Sequence, residues 1–389
     1  MRSGLRVVVF GILGHIPLAG IAWQALHYLE GFRRLSCDVH YVEDTGAWPY
    51  QPKGNGASED SADTINYIAR VMAWCSLADR WAYCSEPQSR RIFGLTSHQL
   101  AQVLEQADVL VNLTGATILR EEHLRIPVRI YLETDPVQAQ VKIAQGHHLT
   151  LDILQQHTHH FSFGENLGAP DCGVPIGELK YQPTRQPIVP DWWTPEATRV
   201  NGACFSTIAN WRQSGRDVTL NGDTYHWSKH QEFLKFLHLP EQSHRPFELA
   251  LACDDPDALQ LLRSHGWRVR DAIALSEDIL PYRDYILQSR GEFTVAKDQN
   301  IRLRTGWFSD RSVCYLAAGR PVITQDTGFG KMLPTGKGLF AYRTMEQILD
   351  ALERISADYS LHRQAAEEIA VEYFSADRVL ASLLERAGV

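Results

Sequence analysis

The sequence contains no run of about 18 apolar residues, so it offers no membrane-spanning helix. It has no excess of basic residues. Thirty-eight Lys and Arg stand against 46 Asp and Glu, a formal net charge of −8. Bulk charge therefore argues against general polyanion binding, with a local basic patch left open, and no nucleic-acid partner is expected from net charge. It also lacks a CxxC pair. The seven cysteines, at positions 37, 75, 84, 172, 204, 253 and 314, are odd in number and scattered, as in a cytoplasmic protein with reduced thiols. The opening "MRSGLRVVVFGILGHIPLAG" has an arginine and an apolar run, as a signal peptide would. Yet Arg6 interrupts the run and no small-residue cleavage site clearly follows, so a buried first strand is expected instead. No internal repeat and no low-complexity tract is present.

What is present is strand–helix alternation. At 389 residues the chain is too long for one ordinary core, and two domains are expected. "RVVVF" (6–10) reads as a buried parallel strand, "GILGH" as a turn, and Leu18, Ile21, Ala22, Ala25, Leu26 and Leu29 recur at helical spacing. "DVHYVED" (38–44) completes a βαβ unit, and strands are expected at 108–114 and 128–134. Residues 45–64 read as a long loop. Six prolines between 168 and 200 preclude a continuous helix or a central strand and mark a linker. Alternation then resumes, with strands at 203–209, 247–253, 291–297 and 320–326, and a helical tail over 345–389 broken near Phe374–Ala376. The expected fold is α/β: two doubly wound, Rossmann-like domains facing a central cleft, divided at 1–185 and 186–372.

In such folds ligands sit beyond the C-terminal ends of the strands, where helix N-termini offer free N–H groups to anions. Ser309, Asp310, Arg311 and Ser312 lie at one such helix start. Ser or Asp can cap the helix and Arg311 can pair with an anion. "TQDTGF", with Asp326, Thr327, Gly328 and Phe329, closes the next strand on the same side, so both loops are expected to border one cleft. An ordinary capped helix and an ordinary turn are the plainer alternative. In the first half, Gly14 permits a close backbone approach, and His15 stands just past a strand end with a pKa suited to proton removal. Glu133 and Asp135 stand at another strand end, with loop capping before Pro136 as the alternative. Glu165 is a candidate on the interdomain face. The histidines at 147, 148, 157, 159 and 160 lack interleaved cysteines and read as surface or packing residues, so no metal site is expected.

The stretch "YLAAGRPVITQDTGFGKMLPTGKGLFAY" (315–342), followed by the helical "RTMEQILDALERI" (343–355), resembles the donor-site region of GT-B glycosyltransferases, particularly the family 4 type. The resemblance covers roughly 300–389, the remainder agreeing only in architecture. It implies a nucleotide-sugar donor, UDP-sugar favoured, on the second domain and an acceptor on the first, with no cofactor required. Residues 373–389 would be a helix crossing back to the first domain. Ser309–Ser312 would hold the donor diphosphate and Asp326–Phe329 face the donor. Asn210, Arg212 and Lys229 would approach it, and His15 or Asp135 would serve as base. Gly14, Glu133 and Glu165 would face the acceptor. The family 4 pattern carries a pair of glutamates where Gly306 and Cys314 stand here. A sugar-nucleotide epimerase and a non-catalytic nucleotide- or carbohydrate-binding protein are the alternatives. An NAD-dependent oxidoreductase is disfavoured because "GILGH" is not G-x-G-x-x-G.

Overall fold

The computed structural model describes residues 4–51, 56–57, 62–85, 90–194 and 202–389. Two sheets organise them. The first holds Arg6–Phe10 (β1), Asp38–Glu43 (β2), Trp81–Cys84 (β3), Ile92–Gly94 (β4), Val109–Leu113 (β5), Val128–Glu133 (β6), His159–Ser162 (β7) and Tyr181–Pro183 (β8), in the order β8-β7-β6-β5-β1-β2-β3-β4. All neighbours are parallel except β3 and β4. The second holds Phe205–Asn210 (β9), Phe247–Ala252 (β10), Arg268–Asp271 (β11), Gly291–Thr294 (β12), Val322–Gln325 (β13) and Leu339–Tyr342 (β14), all parallel, in the order β11-β10-β9-β12-β13-β14.

Both faces of the first sheet are covered, as the uninterrupted apolar strands require. On β1, Val7 and Val9 enter one core while Val8 and Phe10 enter another. The first core takes in α1 (Ala19–Arg34) and α2 (Ala62–Trp74). In the second sheet Phe205 and Leu249 pack on one side and Ile208 and Ala250 on the other. Four further helices matter to the site or its frame: α3 (Leu239–Ser243), α4 (Pro256–Ser264), α5 (Asp310–Ala317) and α6 (Tyr359–Phe374).

The last helix, α7 (Ala376–Arg386), leaves α6 at Ser375 and packs on α1 of the first half. Gly31 makes that crossing close: a Cβ there would stand 2.5 Å from Leu380 Cδ1 and 2.8 Å from Ala376 Cβ. Within the proline-rich stretch the chain still forms β8, but at the sheet edge, where proline is tolerated. Trp193, further along, is fully buried against Trp23. Of residues 45–64, positions 52–55 and 58–61 lie outside the described residues, and the segment ends in α2. The two halves meet through several polar contacts. Trp307 Nε1 donates to Thr134 O (2.9 Å), Asn166 Nδ2 to Arg304 O (2.8 Å) and Gln24 Nε2 to Asp310 Oδ2 (2.7 Å).

Candidate active site

The C-terminal ends of β1, β9, β10 and β11 open onto a shared cleft of about 1080 Å³. His15, from the turn after β1, lines one wall. Asn210, Arg212, Asp254 and Asp271, from the strand ends of the second sheet, line the other. A chamber of about 230 Å³ bounded by Gln24, Asn210, Ser309, Asp310 and Arg311 shares Asn210 with this cleft. His15, Asn210, Arg212, Ser309, Asp310 and Arg311 are thus brought to connected space. Arg212 is largely exposed and reaches Asp255 at 3.3 Å.

Arg311, which lines the chamber, has two further cations near it in the fold. Lys229 feels the positive charges of Arg311 and Lys297, with Glu292 and Asp135 the nearby carboxylates. Lys297, only 8% exposed, pairs with Asp135 across the two halves and places its ammonium 3.1 Å from the Trp227 ring centroid. Lys229 differs from the other two. Among the described residues its ammonium has no hydrogen-bond or ion-pair partner, and it lies 5.9 Å from the Trp307 ring centroid. Burial first, then the positive charges of Arg311 and Lys297, hold its pKa well below that of an ordinary lysine. Sequence reasoning missed Lys297 and Trp307. A lysine just past a buried strand ("GEFTVAK") was the available signal for the first.

Arg311 serves the protein frame. Its Nε donates to Glu292 Oε1 (2.6 Å), Nη1 to Ile208 O (2.6 Å) and Nη2 to Thr294 Oγ1 (2.8 Å). All three guanidinium nitrogens already have protein acceptors, so the free bidentate anion clamp expected from the sequence is not formed. Ser309 is the N-cap of α5 with no side-chain cap bond, and it lines the chamber. Ser312, one turn in, is fully buried and does not reach the chamber.

Asp310 Oδ2 accepts from Gln24, and burial, then the charge of Asp135, raises its pKa from 3.8 to about 7. A raised carboxyl pKa means that the folded state binds the extra proton. Asp310 therefore costs stability as pH rises from about 4 to about 7. Urea unfolding at pH 5 and pH 8 checks this: Asp310→Asn should gain stability relative to wild type at the higher pH.

The 326–329 turn does not border the cleft as expected. Burial works against the Asp326 charge, but Arg343 (2.6 Å), the Gly328 N–H (2.8 Å) and Arg304 (3.5 Å) outweigh it and keep its pKa low. The Thr327 hydroxyl donates to Trp307 O at 2.6 Å, and the Phe329 ring packs in the core at 5.2 Å from Phe308. Gly328, at φ +101°, supplies the left-handed corner. The turn is thus a structural corner whose side chains are already engaged.

Three first-half expectations also change. Gly14 is glycine because α2 packs on it. A Cβ there would stand 2.5 Å from Ile68 Cδ1 and 2.7 Å from Thr64 Cγ2, so its open side faces the core. Gly14→Ala should cost about 1–3 kcal/mol through overpacking, measurable by denaturant unfolding. Glu133 is 2% exposed and accepts from Gln140 Nε2 (2.8 Å) and Ser162 Oγ (2.6 Å), out of reach of an acceptor. Burial raises it to about 7. Glu165 pairs with Arg185 at 2.7 Å in a separate groove beside α7.

Glu43 was not anticipated. Fully buried, it accepts from the Gly14 N–H (2.7 Å), the Tyr41 hydroxyl (2.8 Å) and the His15 N–H, and so fixes the turn that presents His15. Burial lowers the His15 pKa, which favours the neutral imidazole. The buried histidines 157 and 160 pack against Tyr131.

No family model matches the chain, and no curated protein sequence does. Its likeness lies in three dimensions. It is similar to an alpha-glucosyltransferase solved with UDP-glucose and abasic-site DNA, at 10% identity and TM-score 0.59 over 100% of both chains. The fold is GT-B. A second GT-B likeness is to Anabaena HepE solved with UDP and glucose, at 10% identity and TM-score 0.59 over 99% of each chain. A third is to sucrose-phosphate synthase from Thermosynechococcus elongatus, at 10% identity and TM-score 0.56, covering 99% of this chain and 98% of that one. Within this GT-B frame, Gly306 has φ +77°, and a Cβ there would stand 2.6 Å from Asn166 N. A glutamate cannot be accommodated at that position without moving backbone. Cys314 is buried.

Proposed function

We propose that this chain is a glycosyltransferase that moves a sugar from a nucleoside diphosphate donor, UDP-sugar favoured, to a small-molecule or glycan hydroxyl. The observation that carries this reading is the unpaired Lys229 ammonium, close to Lys297 and to Arg311, which itself lines the chamber beside the cleft. A half-buried cation without a counter-ion leaves its charge available to a bound anion. A diphosphate is the anion that the GT-B likenesses suggest, since two of those named were solved with UDP or UDP-glucose. Donor binding is assigned to 186–372 and acceptor binding to 1–185, with 373–389 crossing back.

The chemistry follows from charge. Displacement at the anomeric carbon leaves negative charge on the departing diphosphate. Lys229, Arg212 and the N–H groups at the start of α5 stabilise it without a required metal. Arg311 acts indirectly, by holding the α5 start against Glu292. If the sugar inverts, neutral His15 is the better base, because Asp135 is tied to Lys297. The family 4 resemblance extends to the order of elements around α5 and β13. The missing glutamates call for a different way of holding the donor sugar. Incubation with a panel of sugar nucleotides, read by nucleoside diphosphate release with and without candidate acceptors, tests the proposal. Binding of UDP with no release from any sugar nucleotide would leave a binding protein instead.

A further inference from the structure

Away from the cleft, before the N-terminal ends of β10 and β11, two helix ends bring His238, Glu241 and His265 together. His238 is the N-cap of α3, Glu241 lies within α3, and His265 follows α4. The Nδ1 atoms of both histidines face the same carboxylate, His238 to Oε2 at 2.8 Å and His265 to Oε1 at 3.1 Å. The imidazole rings stand 4.7 Å apart, and one ligand atom from each residue lies within 4.8 Å of the others. Two ligand atoms on one zinc ion, each about 2.0–2.1 Å from it, stand roughly 3.3 Å apart, close to the two histidine–carboxylate separations of 2.8 and 3.1 Å.

The frame beneath is rigid. Trp267, 2% exposed, donates from Nε1 to Leu237 O at 2.7 Å and so ties the His265 turn to the residue before His238. Leu239 is fully buried, and Gly266, at φ +85°, lets that turn approach Pro240. The three side chains themselves are exposed enough for an ion to enter, at 57%, 47% and 25%.

We propose that His238, Glu241 and His265 form a site for a divalent transition metal of the zinc class. Two imidazole nitrogens and one carboxylate favour such an ion over magnesium or calcium, which prefer oxygen donors. Water completes the coordination. On binding, both imidazoles present a bare Nδ1, and their N–H moves to Nε2 through exchange with solvent. The ion would clamp α3 to the end of α4 and stabilise the second sheet from the side opposite the cleft. The site is independent of the function proposed above.

The test uses the full chain, stripped with chelator and titrated with zinc by calorimetry, with thermal unfolding run in parallel. The expected result is one equivalent of zinc bound and a Tm that rises with zinc but not with magnesium. Glu241→Gln and His265→Ala should each weaken binding by more than the roughly 10–100-fold that even an outer-shell partner contributes. Without metal both should melt close to stripped wild type, which shows that they fold. His147→Ala should bind as wild type does. No zinc uptake by wild type, or unchanged uptake in both variants, would overturn the proposal and leave a hydrogen-bonded triad only.

Discussion

Lys229→Ala should lower kcat with the sugar-nucleotide donor by roughly 10²–10³-fold, the loss that follows removal of one preorganised oxyanion-stabilising group. It should not lower Tm. The ammonium is half-buried and stands near Arg311 and Lys297, so its removal relieves a like-charge conflict and breaks no ion pair. The pH dependence has a defined sign. A diphosphate favours protonated Lys229, so donor affinity should fall as pH rises through the depressed pKa of this lysine. Steady-state kinetics and thermal unfolding on the same preparation check both parts. A variant with lowered Tm and intact kcat would make Lys229 a structural residue.

Arg311→Ala should behave in the opposite way, with a loss of about 3–5 kcal/mol of stability. Glu292 is fully buried inside β12, and Arg311 is the cation paired with it. Removing the arginine leaves a buried carboxylate uncompensated. Urea unfolding measures the loss directly. Replacing both partners by neutral residues of similar size, Arg311→Met with Glu292→Gln, should recover most of it, because the cost lies in the unpaired charge. If Arg311→Ala instead unfolds like wild type and loses only donor affinity, the residue is a donor ligand after all.

The contrast between these two cations shows what the sequence makes legible. Strand, helix and turn order around α5 and β13 could be read locally, because apolar periodicity and the capping position at Ser309 are local signals. The same holds for β1 and for the tail broken at Ser375. Edge strand β11 escaped, since "RVRD" is mostly charged and carries no apolar run. The buried glutamate of "GEFT" was a readable hint that a cation must lie opposite, but only the fold identifies Arg311 as that cation.

Roles that depend on contacts distant in sequence were not legible. Asp135 meets Lys297 across 162 positions, and Glu43 reaches back to Gly14 across 29. Gly14 was legible as a place of close approach, but only the positions of Thr64 and Ile68 show that the approach is core packing. The Asp326–Phe329 turn had the right residue types for a ligand rim. Arg343 and the Phe308 ring, which engage it, could not be placed from sequence.

The most direct test of the central claim is calorimetric titration of UDP into the wild-type chain and into Lys229→Ala, at fixed ionic strength. Wild type should bind one UDP per chain, and Lys229→Ala should bind it much more weakly. Absence of UDP or other nucleoside diphosphate binding by wild type, or equal binding by both proteins, would contradict that claim.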